Sequence, residues 1–146
     1  MTKHKSSSQS GYEFAHVAIS VSDLDKSIKF YEDMFDLKCK KRFRIPSLNA
    51  EACFLNRENF TLELFEFPNA EPLPDYRKTL VSDLRTIGVK HFALKVNDIE
   101  ATFMALKEKE IELATQITLG GSGLRYFFVK DPDGILIEVI ENDAHR

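Results

Sequence analysis

Cysteine, net charge and long apolar runs are all scarce in this chain of 146 residues. The two cysteines, Cys39 and Cys53, lack the spacing of a metal or redox motif, and residues 1–11 lack a secretory signal. We therefore expect reduced thiols and a cytoplasmic location, with a disulfide between the two cysteines as the less favoured alternative. A net charge of −3 argues against nucleic acid as a partner. No apolar run approaches the roughly 20 residues that a membrane-spanning helix needs, so no membrane partner is expected.

An internal repeat with an offset of 75 residues runs through the chain. The segment "HVAISVSDLDKSIKFY" from His16 aligns with "HFALKVNDIEATFMAL" from His91. The same offset places "TLELF" on "LIEVI", so that Glu63 aligns with Glu138. Each half therefore runs from its histidine to its glutamate without a net insertion.

Both halves have the pattern of a strand, a helix and further strands. Apolar residues alternate in the two first strands, and helix starts are predicted at Ser22 and Asn97, each followed three residues later by an acidic residue. Two hairpins follow, with turns near residues 56–59 and at "DPDG". We predict an α+β fold of two tandem βαβββ modules.

The repeat divides the chain into segments. Residues 1–11 are predicted to be a disordered tail, residues 12–67 the first module, 68–89 a connector and 90–142 the second module. Together the modules form one domain, for which a hydrophobic content of 43% provides a packed core. The connector is spaced by prolines and then has a helical pattern in "RKTLVSDLRTIG". It is a candidate lid, dimer contact or strap.

Each module places a histidine and a glutamate on the strand face opposite its large aliphatic residues: His16 with Glu63, and His91 with Glu138. A carboxylate in an apolar strand such as "ILIEVIE" is unfavourable unless it is paired or binds a metal. A single strand histidine is more often a satisfied polar residue than a ligand. Two copies at one register instead predict a divalent metal site for Zn, Ni, Co, Mn or Fe(II), with open positions for water or substrate.

At these residues the chain resembles the vicinal oxygen chelate superfamily over about residues 12–142. The resemblance is carried by "HVAISVSDLDKSIKFYEDMFDL", "TLELFEF", "GVKHFALKV" and "FFVKDPDGILIEVIEN". In that family, paired βαβββ modules form cupped mixed sheets around a metal, with helices on the outside. The resemblance implies that His16, Glu63, His91 and Glu138 line such a cup, within one chain or across a homodimer. We expect a homodimer.

The ligand set is most similar to that of glyoxalase I, the lactoylglutathione lyase type. The resemblance implies a metal-dependent lyase or isomerase that chelates the adjacent oxygens of a small molecule and forms an enediolate. We expect Glu138 to be the base and Glu63 its counterpart or a permanent ligand, and the pseudo-symmetry of the halves leaves the exchanged roles open. Alternatives are a dioxygenase or epimerase of the same superfamily, or a non-catalytic drug-binding resistance protein. Ser20 replaces an arginine that helps glyoxalase I hold glutathione. That replacement argues against glutathione or another thiol as cofactor and leaves a different small substrate open.

Three further residues are candidate substrate contacts. Arg125, at the end of the glycine-rich "LGGSGLR", is a candidate for binding a substrate carboxylate, although a flexible connector explains the glycines equally well. Phe65 and Tyr126 are candidates for the wall of the cup, with packing as the alternative for both.

Overall fold

The first module has the predicted βαβββ order in the computed structural model, which describes residues 11–143. The predicted tail lies outside the described residues except for Gly11. The strand order in the sheet is β1-β4-β3-β2, with β1 parallel to β4 and the other neighbours antiparallel. Its elements are β1 (Val17–Val21), α1 (Leu24–Phe35), β2 (Lys38–Ile45), a 3₁₀ turn (Pro46–Leu48), β3 (Ala50–Arg57) and β4 (Phe60–Glu66).

The second module repeats this plan with one change. Two short strands, both paired with the strand Arg125–Lys130, replace the single long strand at the position of β2. Strands β5 and β9 are parallel, as β1 and β4 are in the first module. Its elements are β5 (Phe92–Val96), α3 (Ile99–Glu108), β6 (Glu112–Leu113), β7 (Thr118–Leu119), β8 (Arg125–Lys130) and β9 (Leu136–Glu141).

Helices α1 and α3 begin one residue later than predicted. The capping residues are Asp23 and Asp98 rather than Ser22 and Asn97. Each aspartate has an extended backbone and accepts a hydrogen bond from the backbone N–H three residues on, at 2.9 and 2.8 Å. The backbone N–H of Ser22 instead donates to the Asp133 carboxylate of the second module at 3.0 Å. Asp23 and Asp98 are also 75 residues apart, so the predicted repeat is confirmed at the helix starts. The predicted capping residues, Ser22 and Asn97, were wrong by one position.

One hydrophobic core joins the two modules. Helices α1 and α3 pack on the sheet faces that carry the large aliphatic residues. Tyr31 of α1 is fully buried, its ring lies 6.5 Å from that of Phe92, and its hydroxyl donates to Asp131 at 3.0 Å. We call the opposite face of each sheet, which carries the histidine and glutamate, the site face. The core includes Leu24, Leu62, Leu64, Ile99, Phe103, Phe127, Ile137 and Val139.

The connector holds a 3₁₀ turn (Asp75–Arg77) and the short helix α2 (Leu80–Leu84). Asp83 of α2 is 2% exposed and accepts from Arg77 at 2.8 Å, while the Lys90 ammonium lies 3.5 Å away. This charge cluster ties α2 to the preceding 3₁₀ turn and to Lys90, which follows the connector. None of the helices within residues 11–143 combines the length and the apolar character that a membrane crossing demands.

Candidate metal centre

The first histidine–glutamate pair is formed across β1 and β4. In the parallel register Ala18 lies beside Glu63, and His16 precedes β1 by one residue, two positions from Ala18 on the same face. His16 Nε2 lies 3.0 Å from Glu63 Oε2, and the two side chains are 38% and 11% exposed. The period of two in the strands therefore brings the predicted partners into contact.

The second pair has the same construction across β5 and β9. Ala93 lies beside Glu138, and His91 precedes β5 by one residue. His91 Nε2 lies 3.1 Å from Glu138 Oε2, with the side chains 22% and 17% exposed. His91 Nδ1 is buried and has no hydrogen-bond partner among the described residues.

A phenylalanine supports each pair, and the sequence analysis did not identify either one. Phe54 is the cross-strand neighbour of Glu63, and Phe128 is that of Glu138. Their rings contact the histidines edge-on, with centroids 5.8 Å apart for His16 and 4.9 Å apart for His91. The aromatic edges limit the rotation of the imidazoles. The sequence feature that could have identified them is the pairing of a phenylalanine with each glutamate across the predicted hairpins.

The geometry of both pairs suits metal ligation. Two ligand atoms at right angles around an ion, each about 2.1 Å from it, are about 3.0 Å apart. The nitrogen–oxygen separations of 3.0 and 3.1 Å are hydrogen-bond distances, and they are also compatible with that spacing in an octahedral centre. Neutral imidazole and carboxylate together suit a divalent transition ion. Each pair therefore fits half of the predicted ligand set, and we call each pair a half-site.

Within one chain the two half-sites do not join. Across residues 11–143, no group of three or more His, Cys, Asp or Glu side chains is placed to hold one metal ion. The half-sites lie on the two site faces, while the opposite faces form the shared core. The described part of a single chain therefore presents two half-sites of two ligands each and does not form a four-ligand centre.

A cavity of about 540 Å³ lies beside the second half-site. It is bordered by the edge of β1, residues 70–74 of the connector, Lys90 and His91. Strand β1 pairs only with β4 among the described strands, so its other edge faces this space. The cavity thus offers room for a small molecule next to one candidate ligand.

Comparison with known proteins identifies the family. Residues 13–139 match the glyoxalase/bleomycin resistance protein/dioxygenase superfamily. The chain belongs to this superfamily. It is 30% identical over 136 residues to lactoylglutathione lyase of Haemophilus influenzae, covering 92% of this chain and 96% of that protein. It is 28% identical over 128 residues to human mitochondrial methylmalonyl-CoA epimerase, covering 85% of this chain and 70% of that protein.

Solved structures of the superfamily have the same fold. The glyoxalase family protein from Enterococcus faecalis superposes with a TM-score of 0.76 at 27% identity, covering 88% of this chain and 97% of that one. Glyoxalase I from Zea mays gives a TM-score of 0.69 at 26% identity, covering 87% of this chain and 43% of that one. The predicted fold class is therefore confirmed. Because the relatives include both a lyase and an epimerase, superfamily membership alone does not fix the reaction.

Of the three predicted substrate contacts in this superfamily member, two lie at the site faces and one does not. Phe65 lies on the site face two positions from Glu63, and Tyr126 contacts the ring of Phe128 edge-on at 5.6 Å. Arg125 lies on the helix-facing side instead. Its guanidinium donates to Glu141 at 2.9 Å and pairs with Glu100 of α3. Arg125 is thus already paired with two carboxylates, away from the site face, and its predicted role in binding a substrate carboxylate is not supported.

The glycine-rich segment before Arg125 forms an ordered turn between β7 and β8. The Gly120 N–H donates to the Leu124 carbonyl at 2.8 Å, and the Gly123 N–H donates to the Gly120 carbonyl at 3.0 Å. A Cβ on Gly120 would lie only 3.0 Å from the ring of Tyr126. Close approach to that ring explains this glycine, and no anion-binding role is needed to account for it.

Proposed function

We propose that the protein is a divalent-metal-dependent lyase or isomerase of the glyoxalase I type, with its metal centre completed across a homodimer. In this arrangement His16 and Glu63 of one chain meet His91 and Glu138 of the partner subunit. A two-fold symmetric dimer then contains two such centres. The observation that carries the proposal is the pair of half-sites, each with ligand spacing, that one chain holds apart.

The chemistry assigned to this centre is proton transfer at carbon. A divalent ion held by the four ligands supplies Lewis-acid stabilisation for negative charge on the adjacent oxygens of a substrate. Glu138 removes the proton from the neighbouring carbon and returns it, while His91 would remain a ligand through its Nε2. Phe128 and Leu136, both 3% exposed, reduce the access of water to this carboxylate. Glu63 is the counterpart or a permanent ligand.

The substrate proposed is a small molecule with adjacent oxygens and an apolar group. Support comes from the aromatic residues of the two site faces, Phe54, Phe65, Tyr126 and Phe128. A thiol adduct of a 2-oxoaldehyde has the required oxygens, and Ser20 in place of an arginine argues against glutathione as that thiol. The similarity to human methylmalonyl-CoA epimerase supports a second candidate, epimerisation of an acyl thioester, which also begins with proton removal beside a carbonyl.

A complementation experiment tests the cross-chain centre. One variant carries His16→Ala and Glu63→Ala, and the other carries His91→Ala and Glu138→Ala. Each homodimer has only defective centres, whereas a mixed dimer contains one intact and one doubly defective centre. Random pairing of co-expressed chains should restore about a quarter of the wild-type centres. Bound zinc or nickel and turnover of 2-oxoaldehyde–thiol adducts and acyl-CoA epimers are measured together.

The controls separate the parts of the proposal. Each variant alone should bind little metal while it keeps the wild-type circular dichroism spectrum. If metal binding is recovered but no adduct or epimer is turned over, the cross-chain metal centre is supported and the lyase or isomerase activity is contradicted. No recovery of metal in verified mixed dimers, or a monomeric wild-type protein that binds metal fully, would exclude the cross-chain centre.

A further inference from the structure

The two cysteines of the first module lie next to each other on adjacent strands. Cys39 of β2 and Cys53 of β3 have their sulfur atoms 2.7 Å apart, where a disulfide bond measures about 2.04 Å. The strand register explains this proximity. Cys39 is opposite Leu55 and Arg42 is opposite Cys53, with a bulge between Cys39 and Lys41. The increased twist at a bulge brings the diagonal neighbours together.

The two thiols differ in their access to solvent. Cys39 is exposed, whereas Cys53 is 0% exposed and belongs to the core. Burial and the hydrogen bond with Cys39 raise the pKa of the Cys53 thiol to about 12. Both sulfur atoms lie on the helix-facing side of the sheet, where the Cys39 N–H donates to Glu32 of α1 at 3.1 Å. A reaction between them therefore leaves the half-site on the opposite face intact.

We propose that Cys39 and Cys53 form a redox-reversible disulfide, with a peroxide as the oxidant. The Cys39 thiolate attacks hydrogen peroxide, which breaks the O–O bond, releases hydroxide and leaves a sulfenic acid on Cys39. The Cys53 sulfur then attacks the Cys39 sulfur, the S–O bond breaks, and the proton of Cys53 leaves with the hydroxyl as water. Overall, two thiols and one peroxide give one disulfide and two waters.

The bond would fix the outer strand of the first sheet. It closes a loop from Cys39 to Cys53 that contains Phe43, whose ring lies 5.3 Å from that of Phe54. Phe54 in turn contacts His16. Oxidation thus restrains the aromatic support of the first half-site, and the closed loop of about 15 residues is expected to raise the unfolding midpoint by about 5 °C or more.

The test compares the full-length wild-type protein with the variants Cys39→Ser and Cys53→Ala. The native proteins are treated with hydrogen peroxide, with and without later dithiothreitol, and thiols are counted by alkylation after denaturation. The wild-type protein should lose both thiols, give a peptide that links Cys39 to Cys53, and regain both thiols on reduction. Its unfolding midpoint should rise on oxidation, and that of Cys39→Ser should not.

The single variants identify the steps. In Cys53→Ala, Cys39 has no partner and its sulfenic acid should be trapped by dimedone. In Cys39→Ser, the buried Cys53 should remain a free thiol. The proposal is overturned if both wild-type thiols survive, if Cys39 proceeds to sulfinic acid while Cys53 stays free, or if the product is a disulfide between the Cys39 residues of two chains. These readouts do not depend on metal or activity, so they stand apart from the proposed function.

Discussion

The two modules differ at their outer strands and agree at their inner ones. The first module has the eight-residue β2 at the edge of its sheet, whereas the second has the two-residue strands β6 and β7. Both keep the parallel pair that contains the glutamate and begins directly after the histidine. The nitrogen–oxygen separations of 3.0 and 3.1 Å are nearly equal despite the different edges. The spacing within a half-site therefore depends on the inner strands and not on the outer strand of the sheet.

A second difference lies in the hairpin turns. Asp131 opens the turn of the second module, and Asn56 occupies the equivalent position 75 residues earlier. Asp131 is 4% exposed and accepts from the Tyr31 hydroxyl and from two backbone N–H groups. Asn56 donates within its own module, to Thr61. The second turn thus anchors one module to the other, and burial raises the pKa of the Asp131 carboxyl to about 6.

The largest expected effect separates the roles of the two glutamates. Glu138→Gln should lower kcat by about 10² to 10⁴-fold because an amide is no general base. Glu63→Gln keeps a ligand oxygen and should lose much less. Both variants are compared at equal metal occupancy, measured by elemental analysis, so that loss of ligation is not mistaken for loss of the base. Equal losses in the two variants would contradict the assignment of Glu138.

The buried carboxyl of Asp131 should make stability depend on pH. Because its pKa is raised in the folded protein, its stabilising contribution is present below about pH 4 and is lost as the pH rises through about 6. Asp131→Asn lacks this loss. The free energy of unfolding of Asp131→Asn relative to wild type should therefore grow by about 2 to 3 kcal/mol between pH 4 and 8, measured by urea titration.

Asn56→Asp is the matched control in the first module. Its side chain is only partly buried, so a carboxyl there should produce a weaker dependence on pH. The prediction is contradicted if the difference in the free energy of unfolding between Asp131→Asn and wild type is the same at every pH. In that case, ionisation of the buried Asp131 carboxyl does not destabilise the folded protein.

The smallest expected effects concern the backbone of the two turns. Gly134 has a φ of +84° and Glu58 a φ of +42°. Gly134→Ala should destabilise the protein by about 1 to 2 kcal/mol through backbone strain, since a Cβ there meets only an ordinary contact with Leu73. Glu58→Gly relieves strain but costs backbone entropy, so a gain of at most about 1 kcal/mol is expected. Denaturant unfolding checks both, and a stabilising Gly134→Ala would refute this account.

Strand β2 and the phenylalanines of the half-sites limited what the sequence could predict. The segment "KCKKRFRI" carries five cations, so it lacks the apolar alternation that revealed the other long strands. It lies at the edge of the sheet, where it pairs only with β3 and its cations stay exposed to solvent. The net charge of the whole chain conceals this local basic run. Phe54 and Phe128 resembled ordinary core residues until the strand register placed them opposite the glutamates.

The sequence by itself determined which histidine meets which glutamate. His16 and Glu63 share a module, and the strand period of two fixes their common face as soon as β1 pairs with β4. Only the tertiary structure decided how the modules face each other. That choice depends on contacts between residues remote in sequence, such as Tyr31 with Asp131, 100 positions apart. Local patterns carry no information about contacts between residues so remote in sequence, so the sequence alone left open whether the metal centre forms within one chain or between two.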